Sequence, residues 1–259
     1  MVNIKQSIQW PRKYNLLGVT VSATTYEEAS NLIIRAAQQR MAAVITHLPV
    51  HGVVLANKNL SLKSKIDSFE IVAPDGQPVR WALNYLYSTR LPDRVYGPEL
   101  MIRVCQKAAK IGIGIYLYGS QPQVVENLRK NLLRKFPQLK VVGWESPPFR
   151  PLTPEEDKAT IERINKSHAG IVFLGLGFPK QDVFAYEHRT RLNAVQLCVG
   201  AAFDFLSCNK IIAPHWMQQR GLEWLFRLLQ EPRRLYKRYF VTNTIFLIKI
   251  ISQILRQKL

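Results

Sequence analysis

Four short stretches hold the residue types from which an active site could be assembled: Thr46-His47, Asp75-Gly76, Gly119-Ser120 and the run Gly175-Leu-Gly177-Phe-Pro179-Lys180-Gln181. Asp75 offers a carboxylate able to serve as a general base, and Gly76 lets the chain turn sharply beside it. Asp-Gly is equally a common turn, and Asp75 could simply cap a helix. Gly175-x-Gly177 followed by Pro179 suits a strand-to-helix junction, where backbone amides can receive a phosphate. It has neither the GxGxxG spacing nor the Walker ending Gly-Lys-Ser/Thr, so a tight turn explains it as well. Gly112-x-Gly114 precedes a strand and is weaker still. His47 and His51 have the spacing of helical metal ligands, but Pro49 lies between them and no acid completes the set, so no metal site is assigned. Ser120 lacks the Gly-x-Ser-x-Gly elbow of a serine hydrolase.

These stretches gain meaning from the elements that must hold them. Apolar, β-rich runs at Ala42–Thr46, Phe69–Ala73, Ile113–Tyr118, Val141–Trp144, Ile171–Leu174 and Val195–Val199 read as strands. Between them, Glu27–Gln39, Gln77–Leu86, Glu99–Ile111, Gln121–Phe136, Pro154–Ser167 and Lys180–Arg191 carry the helical period. The alternation predicts an α/β fold, a Rossmann-like parallel sheet with helices on both faces. Ligands of such sheets bind at the carboxyl ends of the strands, where all four stretches fall.

The rhythm stops near Ser207, which predicts a catalytic domain over residues 1–208 and a helical appendage over 209–259, divided by Pro232. The appendage is basic and amphipathic, with Trp216, Trp224, Phe226, Tyr236, Tyr239 and Phe240 set among Arg and Lys, as at a lipid headgroup layer. A core-packing helix with a solvated basic face accounts for Trp224 and Leu228 but not for the apolar tail Ile245–Leu255. Ten of its residues are Lys or Arg and two are acidic, a surplus of eight in the last fifth of a chain of 259 residues with formal charge +18. That charge calls for acidic partners: nucleotide-linked substrates, anionic lipid or nucleic acid. Arg227 and Arg234, with Lys237 and Arg238 a turn beyond, form a set able to face a diphosphate.

With 47% hydrophobic residues the chain can bury a large core. Three dispersed cysteines, Cys105, Cys198 and Cys208, suit a reducing cytoplasm. The N-terminus lacks a signal-peptide core, and no segment reaches the roughly 20 apolar residues of a spanning helix. The tail is therefore expected to lie on the membrane.

Taken in order, the segments resemble the WecG/TagA/CpsF family of bacterial glycosyltransferases, glycosyltransferase family 26. The resemblance runs through Thr46, Pro74-Asp75-Gly76, Tyr96-Gly-Pro-Glu-Leu100, Tyr116-Leu-Tyr-Gly119, Gly175–Gln181, Val199-Gly-Ala-Ala-Phe-Asp204, Ala213-Pro-His-Trp216, Gly221–Arg227 and Glu231-Pro-Arg-Arg234. It implies inverting, metal-independent and cofactor-free transfer of an N-acetylmannosamine-type sugar from a UDP donor to an undecaprenyl-diphosphate-linked acceptor, for cell-surface polysaccharide or teichoic acid-like polymers. It implies a peripheral place on the inner face of the plasma membrane. Asp75 then matches the base, Thr46 a group orienting the sugars, and Gln181 a donor-pocket residue. Gly76, Gly119, Gly175, Gly177, Pro179 and Lys180 would line the substrate site, with Arg227, Arg233, Arg234, Lys237 and Arg238 offered by the appendage to the diphosphate. Leu48, Asp182, Cys208 and Ile212 depart from the family's usual Asn, Glu, Gly and Arg. Two other readings of the residues are a basic nucleic-acid-binding α/β protein and a nucleotide-cofactor oxidoreductase, the latter lacking a dinucleotide fingerprint.

Overall fold

A computed structural model describes residues 7–258, apart from the side chains of Arg234, Lys237, Arg238, Gln257 and Lys258. All six expected strands form, as β3 (Val44–Leu48), β4 (Ile71–Pro74), β5 (Gly114–Gly119), β6 (Lys140–Glu145), β7 (Ile171–Gly175) and β8 (Val195–Cys198). They make one parallel sheet in the order β4-β3-β8-β7-β5-β6. Because side chains alternate between the faces of a strand, β4, β3, β8, β7 and β5 each feed two cores, while the outer strand β6 holds no buried residue. Val44, Val72, Tyr118, Val172, Leu174 and Cys198 pack on one face, with α2 (Val50–Lys58), α3 (Leu60–Asp67), α4 (Gln77–Tyr87), α7 (Pro154–Lys166) and α8 (Lys180–Glu187). Ile45, Ile71, Leu117, Phe173 and Leu197 pack on the other, with α1 (Tyr26–Gln38), α5 (Gly97–Ile111), α6 (Pro122–Lys135) and α9 (Ala202–Leu206). Burial on both faces is why the strands read as continuous apolar runs.

Before the appendage, five elements were not expected: two strands ahead of α1, and the helices α2, α3 and α9. Lys13–Leu16 and Val19–Ser22 form an antiparallel hairpin, β1 and β2, across Leu17 and Gly18, both at positive φ as a two-residue hairpin turn requires. The Ser22 hydroxyl accepts the Val72 amide at 3.0 Å, so β2 covers the open side of β4. Pro49, expected to break a helix, instead caps α2, where its missing N–H costs nothing. His47 on β3 and His51 on α2 thus share no helical face.

The chain after Ser207 forms α10 (His215–Gln219), α11 (Glu223–Gln230) and α12 (Pro232–Lys258), with Pro232 opening the last helix. The inner face of α12 packs on the α/β body through Leu235, Phe246 and Ile250, all buried, with Ile245 and Ile254 beside them. Gln253 accepts the Leu17 amide at 2.9 Å, and Lys249 bonds Asn57 of α2. Core packing therefore explains half of the apolar tail. The outer half is a stripe of exposed apolar residues: Phe240, Val241, Leu247, Ile248, Ile251 and Leu255. Among the described residues no helix is long and apolar enough to cross a membrane.

Candidate active site

Asp75 follows β4 directly, and two hydrogen bonds fix its backbone. Its amide donates to the Leu48 carbonyl at 3.3 Å, and the Val95 amide donates to the Pro74 carbonyl at 2.9 Å. Gly76, at φ 86°, adopts a conformation that glycine supplies without strain, and it starts α4 so that the carboxylate stays at the strand tip. Burial pushes the Asp75 carboxyl up to about 6, with Glu223 adding to the rise and Arg94 and Arg227 opposing it. A carboxyl poised there is half ionised near pH 6 and mostly ionised at neutral pH, with a proton affinity higher than that of an ordinary carboxylate, which suits a general base.

Arg94 is the residue that ties this tip to the C-terminal segment. It is buried, and its guanidinium donates to Glu223 of α11 at 2.5 Å and to Gln218 of α10 at 3.2 Å. The same guanidinium lies 4.4 Å over the Tyr96 ring, whose centroid is 6.3 Å from that of Phe205 on α9. Arg227 of α11 lies 5.6 Å over the Phe205 ring. Two arginines thus rest on two touching aromatic rings, on the Asp75 side of the molecule. Gly221, at φ 72°, turns the chain between α10 and α11 where a Cβ would stand 3.0 Å from Trp81 of α4. The segment is seated on the body by packing as well as by charge. Glu223→Ala should lower the unfolding free energy by about 3–5 kcal/mol, because it leaves Arg94 buried with only Gln218 as a side-chain acceptor; urea denaturation measures this.

The family model of the glycosyl transferase WecG/TagA/CpsF family matches residues 14–259. The chain belongs to that family. It is accordingly a glycosyltransferase of cell-surface polysaccharide synthesis, moving a sugar from a donor to an acceptor.

Several expected site residues of this glycosyltransferase have local duties. β3 runs two residues further than expected because Leu48 pairs with Pro74 and the turn waits for Pro49. Thr46 therefore sits inside the strand, fully buried, and its hydroxyl donates to Asp182 at 2.5 Å instead of standing free at a strand tip. Burial raises the Asp182 carboxyl to about 7 against that hydrogen bond. His47 is held down at about 4 by burial, so it is neutral and its Nδ1–H donates to the Cys198 carbonyl at 3.1 Å. Gly119 and Gly175 have a packing reason: a Cβ on Gly119 would lie 2.7 Å from the Gly175 backbone, and one on Gly175 would lie 2.5 Å from Phe203.

The Gly175–Gln181 turn largely closes on itself. The Gly177 amide donates to the Gln181 side chain at 3.2 Å, the Gln181 amide to the Gly177 carbonyl at 3.0 Å, and the Asp182 amide to Pro179 at 3.0 Å. Pro179 stands in the capping position of α8, one residue before the helix. Gly177, at φ 79° with nothing near its missing Cβ, leaves the turn open on one side, and Lys180 is exposed beside it. Gln181 is buried against Gly200. Arg233 is exposed at the start of α12, while the side chains of Arg234, Lys237 and Arg238 lie outside the described residues.

Sequence reasoning missed the cluster of Arg94, Glu223, Tyr96 and Phe205 beside Asp75. The only local sign is a lone arginine in Leu91-Pro-Asp-Arg94-Val-Tyr96, just ahead of the Gly97-Pro98 helix start. Two cavities of about 420 and 310 Å³ lie elsewhere, along β6 and at the amino ends of β5 and β6, away from the ligand end of the sheet.

Proposed function

We propose that the enzyme transfers an N-acetylmannosamine-type or related sugar from UDP to an undecaprenyl-diphosphate-linked acceptor, with inversion, at a membrane surface. The observation that carries this reading is Asp75, with its raised proton affinity, in the electrostatic reach of Arg94 and Arg227 beneath the C-terminal segment. Asp75 takes the proton of the acceptor hydroxyl while that oxygen attacks the anomeric carbon. The bond from this carbon to the UDP oxygen breaks on the opposite side, and its electron pair leaves with the diphosphate. Preorganised cations stabilise that charge as it forms. Arg227 is free to do so, whereas Arg94 is half neutralised by Glu223. Thr46 acts through Asp182 on the floor of the site, and Gln181 and the Gly177 turn serve the donor side.

The membrane part rests on the outer stripe of α12. Exposed Leu247, Ile248, Ile251 and Leu255 suit acyl chains, and exposed Arg233 and Arg256 on the same helix suit anionic headgroups. An apolar outer face fits lipid better than a nucleic-acid backbone. In this arrangement residues 209–259 act as the membrane-facing unit and 1–208 as the catalytic body.

The direct test is transfer from a panel of UDP-sugars to a synthetic lipid-diphosphate-linked sugar, with the anomeric configuration of the product read by proton NMR. Inverted product is expected; retained configuration, or no transfer from any UDP-sugar, contradicts the reading. Arg227→Ala should lower kcat about 10²–10³-fold with little change in melting temperature, since Arg227 is only partly buried. Steady-state kinetics beside a thermal melt checks both.

A further inference from the structure

Tyr96 ends the loop between α4 and α5, in the capping position of α5, and its side chain lies among the charged groups around Asp75. Its amide donates to the Tyr26 hydroxyl at 3.0 Å, and its ring carries Arg94 and meets Phe205. The side chain is nine-tenths buried, yet its hydroxyl has no hydrogen-bond partner among the described residues. The charges that act on that hydroxyl are Glu223, Asp75, Arg94 and Arg227, the four groups that define the proposed site. Burial raises its pKa well above the usual phenol range, so it stays an O–H donor.

A buried hydroxyl without a partner costs stability. A fold keeps such a group when something else satisfies it, and its surroundings say what that is. Glu223 already pairs with Arg94, which leaves the Arg227 guanidinium to favour an anion, and a neutral donor near it adds a directed bond without adding charge. The Tyr96 ring could have been phenylalanine if only the stack under Arg94 mattered.

We propose that the Tyr96 hydroxyl donates a hydrogen bond to a phosphate oxygen of the substrate diphosphate, which makes Tyr96 a substrate-binding residue of this site. The inference rests on the reading of Asp75 and Arg227 given above. The diphosphate has two sources, the nucleotide donor and the lipid-linked acceptor, and the hydroxyl serves the one that lies against Arg227.

Tyr96→Phe keeps the ring stack and removes only the O–H. We expect kcat/KM for transfer from UDP-sugar to a synthetic lipid-diphosphate-linked acceptor to fall roughly 10- to 100-fold. The melting temperature of the unliganded variant should equal or exceed that of the wild type. Titration calorimetry with UDP assigns the source: weakened UDP binding places the bond on the donor, and unchanged UDP binding with a raised acceptor KM places it on the acceptor. Turnover within twofold of the wild type overturns the inference. So does a loss of turnover that comes with a lowered melting temperature, since that marks a purely structural hydroxyl. The Asp75→Asn enzyme runs beside it: if this control also turns over normally, the site reading itself falls, whereas a silent control with an unimpaired Tyr96→Phe removes only the role of Tyr96.

Discussion

Asp75→Asn will lower transfer by about 10²–10⁴-fold while leaving UDP-sugar binding and the fold intact. The amide keeps the size of the carboxylate and the turn into Gly76, so the backbone bonds to Leu48 and from Val95 survive. Only the capacity to accept a proton is lost. The substitution should also stabilise the protein at neutral pH. Burial raises the folded pKa of Asp75 from the ordinary carboxylate range to about 6. The stability contributed by its proton is complete below the unfolded value and is lost as pH rises through the folded one. The amide cannot ionise and so retains it. A variant that is inactive yet melts higher than the wild type at pH 7 is the expected signature, and ordinary turnover would remove Asp75 as the base.

Ile248→Asp combined with Ile251→Asp should abolish binding to phosphatidylglycerol vesicles without unfolding the protein. Both side chains lie on the outer stripe of α12, 63% and 57% exposed, away from the inner residues Phe246 and Ile250. Each apolar side chain moved into lipid contributes roughly 1.5–3 kcal/mol, so losing two lowers the vesicle partition constant about 100-fold or more. Transfer to a membrane-embedded acceptor should fall in parallel, and transfer to a short-chain soluble acceptor should not. Vesicle sedimentation of the variant at wild-type levels would contradict a lipid-facing α12. Deleting residues from Asn209 onward is a poorer test. It strips Leu235, Phe246 and Ile250 from the core and removes Glu223 from Arg94, so lost activity would follow from lost structure.

The sheet was legible because its strands are compact apolar runs bounded by turn residues, and burial on both faces leaves that mark on all of them but the outer strand β6. β1 and β2 were not, because Lys13, Asn15 and Thr20 interrupt their apolar residues, and the Leu17-Gly18 turn is unlike the usual Asn-Gly pair. The position of Asp75 was legible from one carboxylate between a strand and a glycine. Its partners were not. Arg94 and Glu223 stand 129 residues apart, and a long-range ion pair has no periodicity to betray it. Thr46 was misplaced by a two-residue shift in the end of β3, which turned a strand-tip hydroxyl into a buried donor to Asp182. The apolar tail was assigned wholly to lipid because a helix apolar all round gives the same composition whether one face or both meet the membrane.

The pH dependence of kcat for transfer to a lipid-diphosphate-linked acceptor tests most directly whether Asp75 is the base. A carboxylate with a pKa of about 6 must be ionised to accept the proton, so the rate should rise tenfold per pH unit on the acid side, bend near pH 6 and level off above it. A rate that is constant from pH 5 to 8, or one that falls across that range, would contradict the account.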